Sequence, residues 1–118
     1  MVYYDRFLRV LGWKRFVTQK DLIGYTDSFT KLFLVQAENR FSKRGFHRKQ
    51  IGLNHIAFLV NSKKKVDDFY QFLKSNKVAV LYGGPKDYSA EYSKRYYAVF
   101  FEDPDRIKLE IVFAPAIN

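Results

Sequence analysis

The chain has 118 residues, enough for one domain or two small half-modules packed as one, which excludes a large multidomain enzyme. It contains no cysteine, so disulfide frameworks, thiolate nucleophiles, Cys-ligated zinc and iron–sulfur clusters are excluded, and His47 and His55 are its two imidazoles. Lys and Arg number 21 against 12 Asp and Glu, a formal charge of +9, and the 12 Phe, 9 Tyr and 1 Trp suit a dense core or a ligand cavity rather than disorder.

Val2 to Leu11 sets Tyr3, Tyr4, Phe7, Leu8 and Leu11 at spacings of three and four, with Asp5, Arg6 and Arg9 on the other side. This predicts an amphipathic helix closed by Gly12. Trp13 to Gln19, Leu22 to Thr26 and Thr30 to Glu38 follow as strands, the last carrying the apolar run Leu32-Phe33-Leu34-Val35. Asn39 to Gly52 has neither helical nor strand period and holds Arg40, Lys43, Arg44, Arg48 and Lys49 without an acid, so it reads as a solvated connector, with His47 in solvent. Leu53 to Val60 then forms a buried strand, and Lys63 to Asn76 a second amphipathic helix with Val66, Phe69, Tyr70 and Leu73 on one face. Val78 to Tyr82, Tyr96 to Glu102 and Ile107 to Phe113 supply three more strands, the last two joined by an Asp103-Pro104-Asp105 turn. The organisation is a half-module over 1–38, a basic connector over 39–52 and a full β-α-β-β-β module over 53–115, in a single domain.

The halves resemble each other. Phe7-Leu8-Arg9 aligns with Phe72-Leu73-Lys74, and Lys31-Leu32-Phe33-Leu34-Val35 with Lys108-Leu109-Glu110-Ile111-Val112, each pair inside the same kind of element and in the same order. On this alignment the strand carrying His55 has no counterpart in the first half, which is α-β-β-β. Either the protein has lost that strand or the chain starts late. No segment approaches the ~20 consecutive apolar residues that span a bilayer, and Met1 to Arg6 lacks the apolar core of a signal peptide, so a cytoplasmic location is expected.

Gly52-Leu53-Asn54-His55-Ile56-Ala57-Phe58, the helix with Phe69-Tyr70-Gln71-Phe72-Leu73, and Tyr97 to Asp105 with Lys108-Leu109-Glu110-Ile111-Val112 resemble the vicinal oxygen chelate superfamily. So does Tyr4 to Trp13, which looks like that family's helix and its Leu-Gly-Trp/Phe turn. The superfamily includes glyoxalase I, bleomycin-resistance proteins, fosfomycin-modifying enzymes and extradiol dioxygenases. The resemblance implies an α+β fold in which two packed βαβββ-type modules form a cupped mixed sheet, here with the first module lacking its leading strand. It also implies a small-molecule site in the cup, with His55 and Glu110 as ligands of a divalent metal (Fe, Mn, Zn or Ni) and Glu110 as the catalytic carboxylate.

Strand alternation agrees with that placement, since His55 and Ala57 share a face, as do Lys108, Glu110 and Val112. A carboxylate in an apolar strand needs a cation, a hydrogen-bond donor or an open cavity. The alternative is that His55 and Glu110 survive as a hydrogen-bonded pair in a pocket that no longer binds metal. Two departures from the family pattern stand out. Phe33 occupies the position where the first half could have supplied a carboxylate, and Arg106 stands where glycine usually follows Asp-Pro-Asp, so that turn must differ locally or hold a non-glycine residue at an unusual dihedral.

Tyr88, Tyr92 and Tyr97 are the expected substrate-binding residues. Alternation admits only one of Tyr96 and Tyr97 to the cup, and aromatic packing with wet hydroxyls is the competing reading. The function expected is action on, or binding of, a small molecule: a metal-dependent lyase, dioxygenase or transferase, or a metal-free binding protein of the resistance type. The basic connector with Lys63-Lys64-Lys65 would suit nucleic acid, but no RNP motif, zinc finger or Gly-X-X-Gly loop accompanies it, so the charge reads as a field drawing an anionic small ligand. The edge left by the missing strand calls for a homodimer.

Overall fold

A computed structural model describes residues 2–115 as an α+β chain with two sheets, in two compact units that divide after Gly45, inside the basic connector. The first unit contains α1 (Val2–Val10), β1 (Lys14–Thr18), β2 (Leu22–Thr26), β3 (Lys31–Val35) and α2 (Asn39–Ser42). The second contains β4 (His55–Leu59), α3 (Lys63–Ser75), β5 (Val80–Asp87), β6 (Tyr97–Glu102) and β7 (Lys108–Phe113). The first module is thus αβββ, with no strand ahead of its helix among the described residues, and the second is βαβββ. The connector is not wholly irregular, because its first residues close the single turn of α2.

In the first unit β1, β2 and β3 form an antiparallel meander. Helix α1 buries Tyr4, Phe7 and Leu8, the three- and four-residue stripe of the sequence. Gly12 ends it at φ 85°, where the Trp13 N–H reaches back to the Leu8 carbonyl and the Gly12 N–H to that of Arg9, both at 2.9 Å. Asp5 ties helix to sheet: Oδ1 accepts from Tyr25 at 2.6 Å and from Arg15 Nε at 3.1 Å, while Oδ2 accepts from Arg15 Nη2 at 2.5 Å. Burial pushes the Asp5 carboxyl up, but those donors outweigh it and hold the group below its usual range. Burial and then Asp5 push the Tyr25 phenol up to about 12.

In the second unit the strand order is β4-β7-β6-β5, with β4 and β7 parallel and the other pairs antiparallel. Ser62 caps α3 by accepting from the Lys65 N–H at 3.1 Å. The helix lays Val66, Phe69 and Leu73 on the sheet, where Phe69 meets Phe101 with ring centroids 5.7 Å apart. Register places Val99, Leu109, Ile111 and Phe58 on the same side as Phe101, and all four are buried. Each such side chain contributes roughly 1.5–3 kcal/mol on leaving water. The opposite face carries three rows across β4, β7 and β6: His55, Lys108 and Glu102; then Ala57, Glu110 and Phe100; then Leu59, Val112 and Ala98.

Asp103 organises the turn into β7. Its Oδ1 accepts from the N–H groups of Asp105 at 2.8 Å and Ile107 at 2.9 Å, and Arg106 is held at φ 68°, the left-handed region glycine favours. The turn keeps its shape through the buried aspartate and strains the arginine. Arg106→Gly should therefore raise stability by about 0.5–1 kcal/mol, because relief of the left-handed penalty exceeds the added chain entropy and the loss of an exposed ion pair to Glu102. Urea denaturation with an unchanged m-value would show it, and a lower midpoint would contradict it.

Candidate functional site

Glu110 sits in the middle of β7 and has no solvent exposure. A buried carboxylate without partners costs several kcal/mol, so its oxygens require donors. Oε1 lies 2.8 Å from His55 Nε2, and Oε2 accepts a short hydrogen bond from the Tyr96 hydroxyl. His55 opens β4, which pairs directly with β7, and Tyr96 is the residue before β6 on the other side of β7. The sheet order thus delivers one donor from each flanking strand.

Asn54 Oδ1 lies 2.6 Å from the second His55 nitrogen, Nδ1. With acceptors at both nitrogens the ring is an imidazolium facing the buried anion; with the Asn54 amide turned end for end, its NH2 donates and suits the neutral ring. Burial, and then the bond to Glu110, push the Tyr96 phenol well above its ordinary value. His55 keeps 32% of its side chain exposed, so the network meets solvent at its imidazole edge.

Aromatic side chains surround it. Phe100, opposite Glu110 in the β6–β7 register, stands edge to face with His55 at 5.9 Å, Tyr82 at 5.5 Å and Tyr88 at 5.5 Å. A turn after β5, in which the Tyr92 N–H bonds to the Tyr88 carbonyl at 3.0 Å, brings Tyr88 and Tyr92 together, and Tyr92 packs on Tyr96 at 4.8 Å. The Tyr88 hydroxyl is buried with no hydrogen-bond partner among the described residues.

Of the residues expected from the sequence, His55, Glu110, Tyr88 and Tyr92 gather on this face. Tyr97 does not: alternation turns it to the helix side, where its hydroxyl donates to Asp67 of α3 at 2.6 Å. Tyr96 takes the place on the Glu110 side, with the same parity as Ala98 and Phe100. His47 remains in the connector, its Nδ1 accepting from the Lys49 N–H at 3.1 Å. Arg48, expected in solvent with the connector, is instead only 14% exposed and donates to Glu102 at 2.7 Å. Alternation limited this face to one of Tyr96 and Tyr97 without saying which, whereas the reach of Arg48 over a separation of 54 residues had no local signal.

The donor set does not fit a resident divalent metal. One imidazole nitrogen and one carboxylate face each other, both carboxylate oxygens are engaged, and no group of three His, Asp or Glu side chains suited to a metal occurs among the described residues. In the first module the aligned position is Phe33, packed on Phe16 at 5.6 Å.

Residues 7–111 match the Glyoxalase/Bleomycin resistance protein/Dioxygenase superfamily. The chain is 36% identical to the uncharacterized protein YqjT of Bacillus subtilis over 110 residues, 93% of this chain and 84% of that one. It is similar, at 39% identity and a TM-score of 0.84, to the crystal structure of a candidate glyoxalase from Bacillus halodurans, across 96% of this chain and 84% of the other. A fosfomycin resistance protein from Listeria monocytogenes shares the fold at 14% identity and a TM-score of 0.66, over 97% of this chain and 84% of that one.

Replacing Glu110 with Ala should cost about 3–5 kcal/mol in urea denaturation, since it strands the His55 and Tyr96 donors and opens a cavity. Tyr96→Phe should cost about 1–2 kcal/mol at neutral pH. Because the folded protein raises the Tyr96 pKa, the stabilisation is complete below the unfolded value near ~10 and declines as pH rises beyond it. An ultraviolet titration of Tyr96→Phe should accordingly lack one late-ionising phenol. Loss of an ordinary, early-ionising phenol would contradict the assignment.

Proposed function

The chain belongs to the glyoxalase/bleomycin resistance protein/dioxygenase superfamily, and from that membership we propose that it binds a small organic molecule on the His55–Glu110–Tyr96 face without a resident metal. The supporting observation is the closure of Glu110, whose two oxygens are satisfied by an imidazole and a phenol where a metal would need them. His55 presents its edge to the ligand, and the exposed Tyr92 ring, backed by Tyr88 and the buried Phe100, offers aromatic surface for the ligand's body. Glu110 then works as a positioning residue, fixing the imidazole and the Tyr96 hydroxyl against the sheet.

The competing reading is a metal-dependent lyase, dioxygenase or transferase with His55 and Glu110 as metal ligands and Glu110 as the catalytic carboxylate. Elemental analysis of purified protein and calorimetric titration with Zn, Mn, Ni and Fe(II) separate the two. We expect far less than one equivalent retained and no binding that depends on both residues. One equivalent of metal, lost in both His55→Ala and Glu110→Gln, would overturn the proposal. In the same protein, a fragment mixture should shift the amide resonances of His55, Tyr88 and Phe100. A mixture that leaves them unmoved would count against a ligand site there.

A cytoplasmic homodimer accompanies this reading. Phe16, Phe33 and Val35 of the first module are 44%, 49% and 64% exposed, apolar surface that a second copy would cover. Sedimentation velocity at micromolar concentration should give a species of about twice the 14.0 kDa chain mass, and a lone monomer would refute the dimer.

A further inference from the structure

Lys108 and Glu102 face each other across β7 and β6, on the same side of the sheet as Glu110. Opposite charges in that register ordinarily pair. Here they do not, because Arg48 has taken Glu102 at 2.7 Å, with Arg106 a second cation at 3.6 Å. Lys108 turns away. Its ammonium donates to the Tyr82 hydroxyl at 2.9 Å and lies 4.7 Å over the Phe100 ring and 5.0 Å over that of Tyr82. No acid lies within ion-pair distance of it among the described residues.

The backbone goes to some length to put Tyr82 there. β5 bulges between Leu81 and Lys86, and Tyr82 is held at φ 58°, followed by Gly83 and Gly84 at 83° and 121°. A tyrosine in the left-handed region is a strained choice. Since its oxygen accepts from Lys108, and the ring is exposed, its own proton is left to donate outward. The local field is positive. Lys108 above all, and Arg48 as well, pull the Tyr82 phenol below its ordinary value against the opposing effect of burial.

We propose that Lys108, Arg48 and the Tyr82 hydroxyl form a receptor for an oxyanion, the carboxylate or phosphate of a small molecule whose body lies along the exposed Tyr82 ring and the open edge of His55. This rests on the small-molecule reading of the same face and names its ligand class. Lys108, Arg48 and Arg106 outnumber the carboxylates of Glu102 and of Glu110 one row away, which leaves an excess of positive charge at one corner of the site. Phe100 connects that corner to His55. Lys108 retains ammonium protons beyond the one given to Tyr82, and the planar Arg48 head suits a two-oxygen acceptor. Arg48 acts twice, as a donor and as the partner that keeps Glu102 from recapturing Lys108.

Phenyl phosphate, benzoate and the neutral isostere benzamide, titrated separately into isotope-labelled protein and followed by amide shifts, test the proposal. The two anions distinguish a phosphate receptor from a carboxylate receptor. At least one should bind roughly tenfold or more tightly than benzamide, the worth of one charge-assisted contact. Lys108→Met should abolish that preference. Arg48→Met should weaken anion binding several-fold, and the double variant Arg48→Met, Glu102→Gln should recover part of the loss. That recovery would not follow if Arg48→Met merely damaged the fold.

Equal binding of all three probes at His55, Tyr88 and Phe100, indifferent to Lys108→Met, would overturn the oxyanion receptor while leaving the small-molecule site standing. Failure of every probe to shift those residues would overturn the receptor as well, and the fragment experiment would then decide the broader reading by itself.

Discussion

A carboxylate with no solvent exposure in the centre of a β-strand is the constraint around which the second module is arranged. Glu110 cannot be ionised there unless donors meet it, and no backbone group can serve, because the β7 ladder already uses the neighbouring amides on both sides. Side chains from β4 and from the approach to β6 supply the donors. Both segments must therefore keep their register with β7. A one-residue slip of either would send His55 or Tyr96 to the helix-covered face and leave the anion alone.

The two modules solve the same position differently. In the second, Phe100 stands opposite Glu110 and the ring lies beside a polar network. In the first, Gly24 stands opposite Phe33, and the rings of Phe16 and Phe33 close over it so tightly that a Cβ at Gly24 would lie 2.9–3.0 Å from them. Side chains replace one another across the strand pair: a carboxylate with an aromatic neighbour in one module, aromatics over a glycine in the other. The apolar pair has no need of such donors.

Much of this was legible in the residues. The family resemblance joined His55 and Glu110 in one site, strand alternation agreed with it, and the apolar stripe Val66, Phe69, Leu73 marked the buried side of α3. Gly12 announced the end of α1, and Arg106 after Asp-Pro-Asp announced either a locally different turn or an unusual dihedral, of which the structure has the second. These features depend on neighbours within a few residues, where steric and periodic rules act directly. Parity narrowed the tyrosines to one of Tyr96 and Tyr97, but could not say which, since a strand looks the same from either face until something packs on it.

What the sequence by itself determined is the module type, the element order and the existence of a buried acid that had to be answered. Only the tertiary structure decided who answers it. Tyr96 rather than Tyr97 reaches Glu110 because α3 occupies the other face, and Asp67 on that helix takes the Tyr97 hydroxyl. Arg48 leaves an apparently solvated connector because Glu102 attracts it across 54 residues, and Lys108 turns to Tyr82 as a result. Charge pairing depends on distance in space, and a one-dimensional pattern of residues does not carry that distance.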